Sequence, residues 1–299
     1  MPAFMTHYTC GVTSYNSMKR GLVRTCIEDH KTVYSVGLAG PDFFFYSLGE
    51  MARPGVNLGS IIHKYRCGAF LKNMYEEVML LHGEARVIGI AYLAGFLGHY
   101  ELDAACHPFV FKVAKGPDRK KALGKHFAFE AAMDVMITER YLHKNINQSQ
   151  QVGLVKLKDH ERTVICAIIS GAFRKTFPDC AVKLTRKRLE WIFREYYLIT
   201  CCLIDPSGFK EFVVRNIERK INHGWVTSSP LLINNNTYGV SSRLFKRFDT
   251  CFKKGVEDLM QILEVYEDTL GGEVSKEDFF LAIGNKSYHT GREPEKVDG

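Results

Sequence analysis

His99 and Asp103 lie four residues apart, and His107 follows four residues later. On a helix, four-residue steps stack side chains on one face. His126 and Glu130 repeat the step further along the chain. His63 precedes both pairs, and Asp42 sits earlier still, within Gly40-Pro41-Asp42. Imidazole nitrogens and carboxylate oxygens are ligands that Zn2+ accepts readily. A carboxylate can bridge two cations through its two oxygens, and Asp103, flanked by two histidines, is placed to do so. One histidine–acid pair at this spacing arises by chance on many helices. Two such pairs, each with a further histidine nearby, are more specific to a metal centre.

The residues ahead of His99 add weight. Ile88, Ile90, Ala91, Tyr92, Leu93, Ala94, Phe96 and Leu97 make the segment apolar almost all round, the pattern of a central helix enclosed by others. Polar groups that point into a core must be satisfied, and a metal ion satisfies several at once. The alternative is that these residues lie on helix surfaces and share no partner.

Helical periodicity dominates the rest of the chain. Apolar residues from Ile61 to Val78 recur at three- and four-residue steps, which predicts one helix over Gly59–His82. The central helix is expected from Ala85 to about Cys106, ended by Pro108. Further helices are expected over Ala122–Tyr141, Glu161–Phe177, Leu184–Leu203, Ser207–Ile221 and Ser241–Leu270. Loops are expected over Ala39–Asn57, Val110–Lys120, Lys144–Leu154 and His223–Tyr238. No stretch alternates with period two, and hairpin dipeptides between apolar runs are missing. The fold class is therefore all-α, a compact multi-helix bundle with a metal cleft. A single helical domain is expected over 1–285, followed by a polar, frayed tail over 286–299.

Composition sets the wider limits. The 299 residues are 46% hydrophobic and 24% charged, the balance of a folded globular chain and not of a disordered one. The net charge of +7 favours anionic partners. The densest basic run, Lys183, Arg186, Lys187 and Arg188, reads as a solvated helix face. The amino terminus lacks the charged and apolar regions of a secretory leader. The longest apolar stretch is too short to span a bilayer. Nine cysteines without CxxC spacing suggest reduced, mostly buried thiols. A cytoplasmic location is expected on these grounds.

Gly40-Pro41-Asp42, His63, the run from His99 to Asp103 with His107-Pro108, and the run from His126 to Glu130 resemble, in order and spacing, the ligand pattern of the bacterial zinc-dependent phospholipases C. His7 fits the same pattern. The recognisable motifs cover about residues 1–140. The resemblance implies an all-helical fold with two zinc ions in a cleft and room for a third. Asp42, His63, His99 and Asp103 would hold one ion; His107, His126 and Glu130 a second; His7 and Asp103 a third. The implied reaction is hydrolysis of a phosphodiester, such as the headgroup bond of a phospholipid, with Asp42 doubling as the proton acceptor. Two features depart from the family. Secreted members complete the third site with a mature amino-terminal tryptophan, where this chain has Met1-Pro2, and no acidic residue precedes Glu28.

Other readings follow from the same residues. A zinc nuclease would share the helical architecture, but basic and aromatic residues do not interleave near the ligands as base stacking requires, so nucleic acid is not the expected partner. A non-catalytic, zinc-stabilised helical protein would use the metal for folding alone. His143, His160, His223 and His289 read as surface histidines. His30 and His82 suit helix ends. Phe43, Phe44, Phe45 and Tyr46 read as packing residues, or as a wall for an apolar part of the substrate. Trp225 is a weaker candidate for closing the cleft, and Cys106 reads as a packing residue beside His107. Oligomeric state is not legible in the chain.

Overall fold

The computed structural model describes residues 4–51, 57–116, 119–146, 151–180, 184–203, 209, 216 and 240–293. The helices are α1 (Phe4–Ser17), α2 (Leu22–Asp29), α3 (Lys31–Leu38), a 3-10 helix (Gly40–Tyr46), α4 (Leu48–Met51), α5 (Leu58–Lys64), α6 (Cys67–Met79), α7 (Gly83–Ala114), α8 (Arg119–Leu142), α9 (Gln151–Leu154), α10 (Asp159–Thr176), α11 (Arg186–Leu203), α12 (Ser242–Gly271) and α13 (Lys276–Ile283). No strand occurs among the described residues, as the all-α reading requires.

The 32-residue α7 is the axis of the molecule. Every residue from Ile88 to Ala104 on it is buried, so its apolar character has the cause read from the sequence. It packs most extensively against α3 and α12, with α1, α2, α6, α8 and α10 completing the enclosure. The strongly amphipathic α12 is capped at both ends. The Ser241 hydroxyl accepts from Leu244 N at 3.3 Å, and Gly272 takes the left-handed conformation after the last turn. Phe252, Leu259, Leu263 and Tyr266 form its buried stripe. No helix among the described residues is long and apolar enough to cross a membrane.

Several expectations are corrected. The helix predicted over Gly59–His82 is two, α5 and α6. Arg66 breaks it with φ at +52°, held there as its Nη1 donates to Thr176 O on α10 at 3.0 Å. Pro108 does not end α7. Phe109, Val110 and Ala114 stay buried beyond it, and that packing offsets the hydrogen bond a proline lacks. The loop predicted over 110–120 is accordingly reduced. The loop predicted over 39–57 contains the 3-10 helix and α4, and that over 144–154 contains α9. No bounds were predicted for α1–α3 or α13, although His30, read as suiting a helix end, does sit where α2 meets α3. Arg188 is not simply solvated: it pairs with Glu50, a carboxylate 2% exposed. The tail does not fray over its described part, since Tyr288 is fully buried. Apart from residues 209 and 216, the segments 207–221 and 223–238, with His223 and Trp225, lie outside the described residues, as does Lys183. Of the nine cysteines, Cys10, Cys26, Cys67, Cys106 and Cys166 are buried, and none forms a disulfide.

Candidate metal centre

The eight predicted ligands come from five elements. His7 is on α1, Asp42 on the 3-10 helix and His63 in the last turn of α5. His99, Asp103 and His107 are on α7, and His126 and Glu130 on α8. Because α7 continues through Pro108, His107 stays in helical register with Asp103. All eight are buried.

They meet around Asp103. Its Oδ2 is 3.2 Å from His99 Nε2, 3.3 Å from His107 Nδ1 and 3.7 Å from His63 Nε2. Its Oδ1 is 3.2 Å from His7 Nε2. Asp42 faces His63 Nε2 at 3.1 Å and His99 Nε2 at 3.7 Å. Glu130 Oε1 lies 3.0 Å from His126 Nε2 and 3.2 Å from His107 Nε2. Three clusters result, each with ligand atoms within 4.8 Å of one another: Asp42, His63 and His99; His107, His126 and Glu130; and His7, His99 and Asp103.

The backbone selects which nitrogen each histidine offers. His63 Nδ1 is 2.7 Å from Gly59 O, His99 Nδ1 is 3.1 Å from Leu38 O, and His107 Nδ1 is 3.0 Å from Tyr288 O. A carbonyl can only accept, so each Nδ1 carries the proton and donates. His63 and His99 are left with an Nε2 lone pair facing the carboxylates, and His107 Nε2, which faces Glu130, presents one once its imidazolium proton has gone. That is the tautomer and orientation that partners outside the ligand sphere impose on metal-binding histidines.

Several polar atoms at the centre have no hydrogen-bond partner. His7 Nδ1, Asp42 Oδ1, His99 Nε2, Asp103 Oδ2, His126 Nδ1 and Glu130 Oε2 are all buried and unsatisfied. Leaving such groups unpaired costs about 1–3 kcal/mol each, more for charged ones. Nitrogen and carboxylate donors around a shared space fit zinc, which would satisfy several of them together.

Electrostatics favours anionic carboxylates here. Burial opposes charge on Asp103, but His107 and His99 outweigh it and hold the carboxyl well below its usual range. Burial likewise opposes charge on Glu130, and the His126 charge with hydrogen bonds from His107 and His126 brings it down. Burial opposes charge on His107 too, yet Asp103 and Glu130 raise it well above the ordinary histidine range.

Local backbone explains one tight approach. Gly40, with φ at +53°, precedes the turn that carries Asp42, and a Cβ there would lie 2.2 Å from His99 Cγ. Only glycine accepts both the conformation and the contact.

Sequence reasoning missed three residues. Asp134 accepts from Met5 N at 3.0 Å and from Thr6 N and Oγ1 at 2.6 Å each, which anchors the start of α1 and so His7. Burial pushes its carboxyl up to about 7 despite those bonds. It is the next four-residue step after His126 and Glu130, a signal the sequence did carry. Tyr288 is wedged against the site, its ring centroid 5.0 Å from His63 and 5.7 Å from His99. His289, expected at the surface, is half-buried beside His63 and His107, and burial with those neighbours pushes its pKa down to about 4. His160 fits the surface reading, exposed and 3.5 Å from Glu84. His30 is buried where α2 meets α3, its Nδ1 3.0 Å from Glu161.

No curated protein and no solved structure matches the chain. A family model described as zinc dependent phospholipase C matches residues 6–174, more than half of the sequence and a span that contains all eight converging residues. The chain therefore belongs to the zinc-dependent phospholipase C family.

Proposed function

We propose that this member of the family is a zinc-dependent phosphodiesterase that cleaves the headgroup bond of a phospholipid or a related phosphodiester. The observation that carries the reading is the gathering of eight buried residues into three adjoining clusters, four of whose histidines face Asp103, with several of their polar atoms buried and without a hydrogen-bond partner. Asp42, His63, His99 and Asp103 would hold one zinc ion, His107, His126 and Glu130 a second, and His7 with Asp103 a third. When bound, zinc lowers the pKa of coordinated water towards ~7 and neutralises charge on phosphate oxygens.

The chain's own residues supply the rest. Asp103 ties the clusters together, so a phosphate meets them in fixed register. Asp42 Oδ1, buried and without a hydrogen-bond partner, accepts the proton of the attacking water. Phe45, 5.6 Å from the His63 ring, and the 41% exposed Phe111, 4.8 Å from the His126 ring, give an apolar border for the non-phosphate part of the substrate.

Zinc-loaded protein assayed against a choline phosphodiester chromophore, phospholipid vesicles and single-stranded DNA tests the reading. Turnover of the first two above the third supports it. Preferential cleavage of DNA would favour a nuclease, and a zinc-loaded protein inert on all three would favour a folding role for the metal.

A further inference from the structure

The turn at 285–293 lies far beyond the family match, yet it is built into the metal centre. Gly68 N donates to Asn285 Oδ1 at 3.0 Å, and Lys286 N donates to the Tyr100 hydroxyl at 2.6 Å. Lys286 Nζ reaches Glu101, a buried carboxylate of α7, at 2.6 Å. Gly291 N donates to Ser287 O, and Ser287 N to Arg292 O, each at 2.9 Å, which closes the turn. Gly291 has φ at +64°, and a Cβ there would lie 2.2 Å from Ala104 O. That carbonyl is the one Pro108 deprives of its helical N–H. The proline inside α7 and the glycine in the turn thus meet at one spot, and glycine alone fits.

The turn sets His289 over the centre. Its ring centroid is 6.1 Å from His63, 6.0 Å from His107 and 5.1 Å from Phe111. His63 belongs to one cluster of ligands and His107 to another, so the imidazole spans the gap between them. It belongs to none of the three clusters whose ligand atoms lie within 4.8 Å of one another. The ring therefore lies beside both clusters without being one of their grouped ligands.

We propose that His289 is a substrate-contacting residue, its imidazole N–H donating to an oxygen of a phosphate group seated between the Asp42–His63–His99 and His107–His126–Glu130 clusters. The proposal rests on the phosphodiesterase reading for its substrate, but free phosphate presents the same oxygens. The test uses the zinc-loaded full chain and three variants, His289→Ala, His289→Gln and Gly291→Val. Zinc per chain, the affinity for inorganic phosphate by calorimetry, and kcat and KM on the choline phosphodiester are measured for each.

His289→Ala should keep the wild-type zinc content while phosphate affinity and kcat/KM both fall about tenfold to a hundredfold, the loss of one hydrogen bond to a charged group. His289→Gln, which keeps an N–H donor, should recover part of the loss. Gly291→Val, which displaces the turn and leaves His289 in place chemically, should reproduce the loss. Zinc lost in His289→Ala would make the residue a ligand and overturn the proposal. Unchanged phosphate affinity in that variant, or no phosphate binding by the wild type, would overturn it as well. Phosphate binding that depends on His289 in a protein inert on every phosphodiester would sustain the contact and sink the phosphodiesterase reading alone.

Discussion

His107 Nδ1 donates to the backbone carbonyl of Tyr288 at 3.0 Å, across 181 residues of sequence. The bond fixes the Nε2 of His107 towards Glu130, and it is made by a turn whose aromatic ring also presses on His63 and His99. One carboxyl-terminal residue thereby orients histidines from two ligand clusters.

Tyr288→Ala should lower both stability and zinc affinity. Removal of a fully buried aromatic ring costs about 3–5 kcal/mol of stability. The backbone carbonyl that holds His107 stays in this variant, so the loss of zinc affinity comes from the missing ring beside His63 and His99. Thermal unfolding with and without zinc, together with competition against a chelator, measures the two effects. Wild-type zinc affinity in a folded Tyr288→Ala protein would show that the ring does not orient His63 and His99.

Zinc uptake should release protons. Asp103 and Glu130 are held ionised below the usual carboxylate range, so they contribute none. His107 is raised above the ordinary histidine range, so it is an imidazolium in the zinc-free protein near neutrality. Zinc binds the neutral imidazole, and the proton must leave. Apparent affinity therefore rises with pH until His107 has lost its proton. Calorimetry in two buffers of different ionisation enthalpy should give roughly one proton or more per chain, and an affinity flat with pH would contradict the assignment.

How much of this was legible in the sequence follows from distance along the chain. The stripe of His99, Asp103 and His107 and the pair His126 and Glu130 are local, set by helical spacing, and they were readable. Asp42 and His63 were candidates by residue type, and their shared site, with His7, came through family resemblance. The bond from Asp134 to Thr6 spans 128 residues, and His289 meets His63 and His107 only after α12 and α13 have packed. The four-residue step from Glu130 puts Asp134 on the ligand face of its helix, but no spacing announces its partner at Thr6 or the approach of His289. Pro108 misled because its local rule predicts a helix end, whereas burial of Phe109 and Val110 and the approach of Gly291 sustain the helix through it. Arg66 misled in the opposite sense, since a hydrogen bond to α10 breaks a helix that periodicity alone would continue.

Gly40→Ala should disturb the centre without removing a ligand. The backbone conformation alone costs about 1–3 kcal/mol for a residue with a side chain, and the added methyl meets the His99 ring. The variant should melt at lower temperature and bind zinc less tightly at the Asp42–His63–His99 cluster. Unaltered melting and zinc affinity would mean that the approach of the turn to His99 is not required.

The central claim is that Asp103 joins the three ligand clusters into one metal centre. Zinc per chain, measured by elemental analysis on purified wild-type and Asp103→Asn proteins of matched helicity, tests it most directly. The account predicts at least two zinc ions in the wild type and a clear deficit in Asp103→Asn. A folded wild type without stoichiometric zinc, or an Asp103→Asn protein with an undiminished metal content, would contradict it.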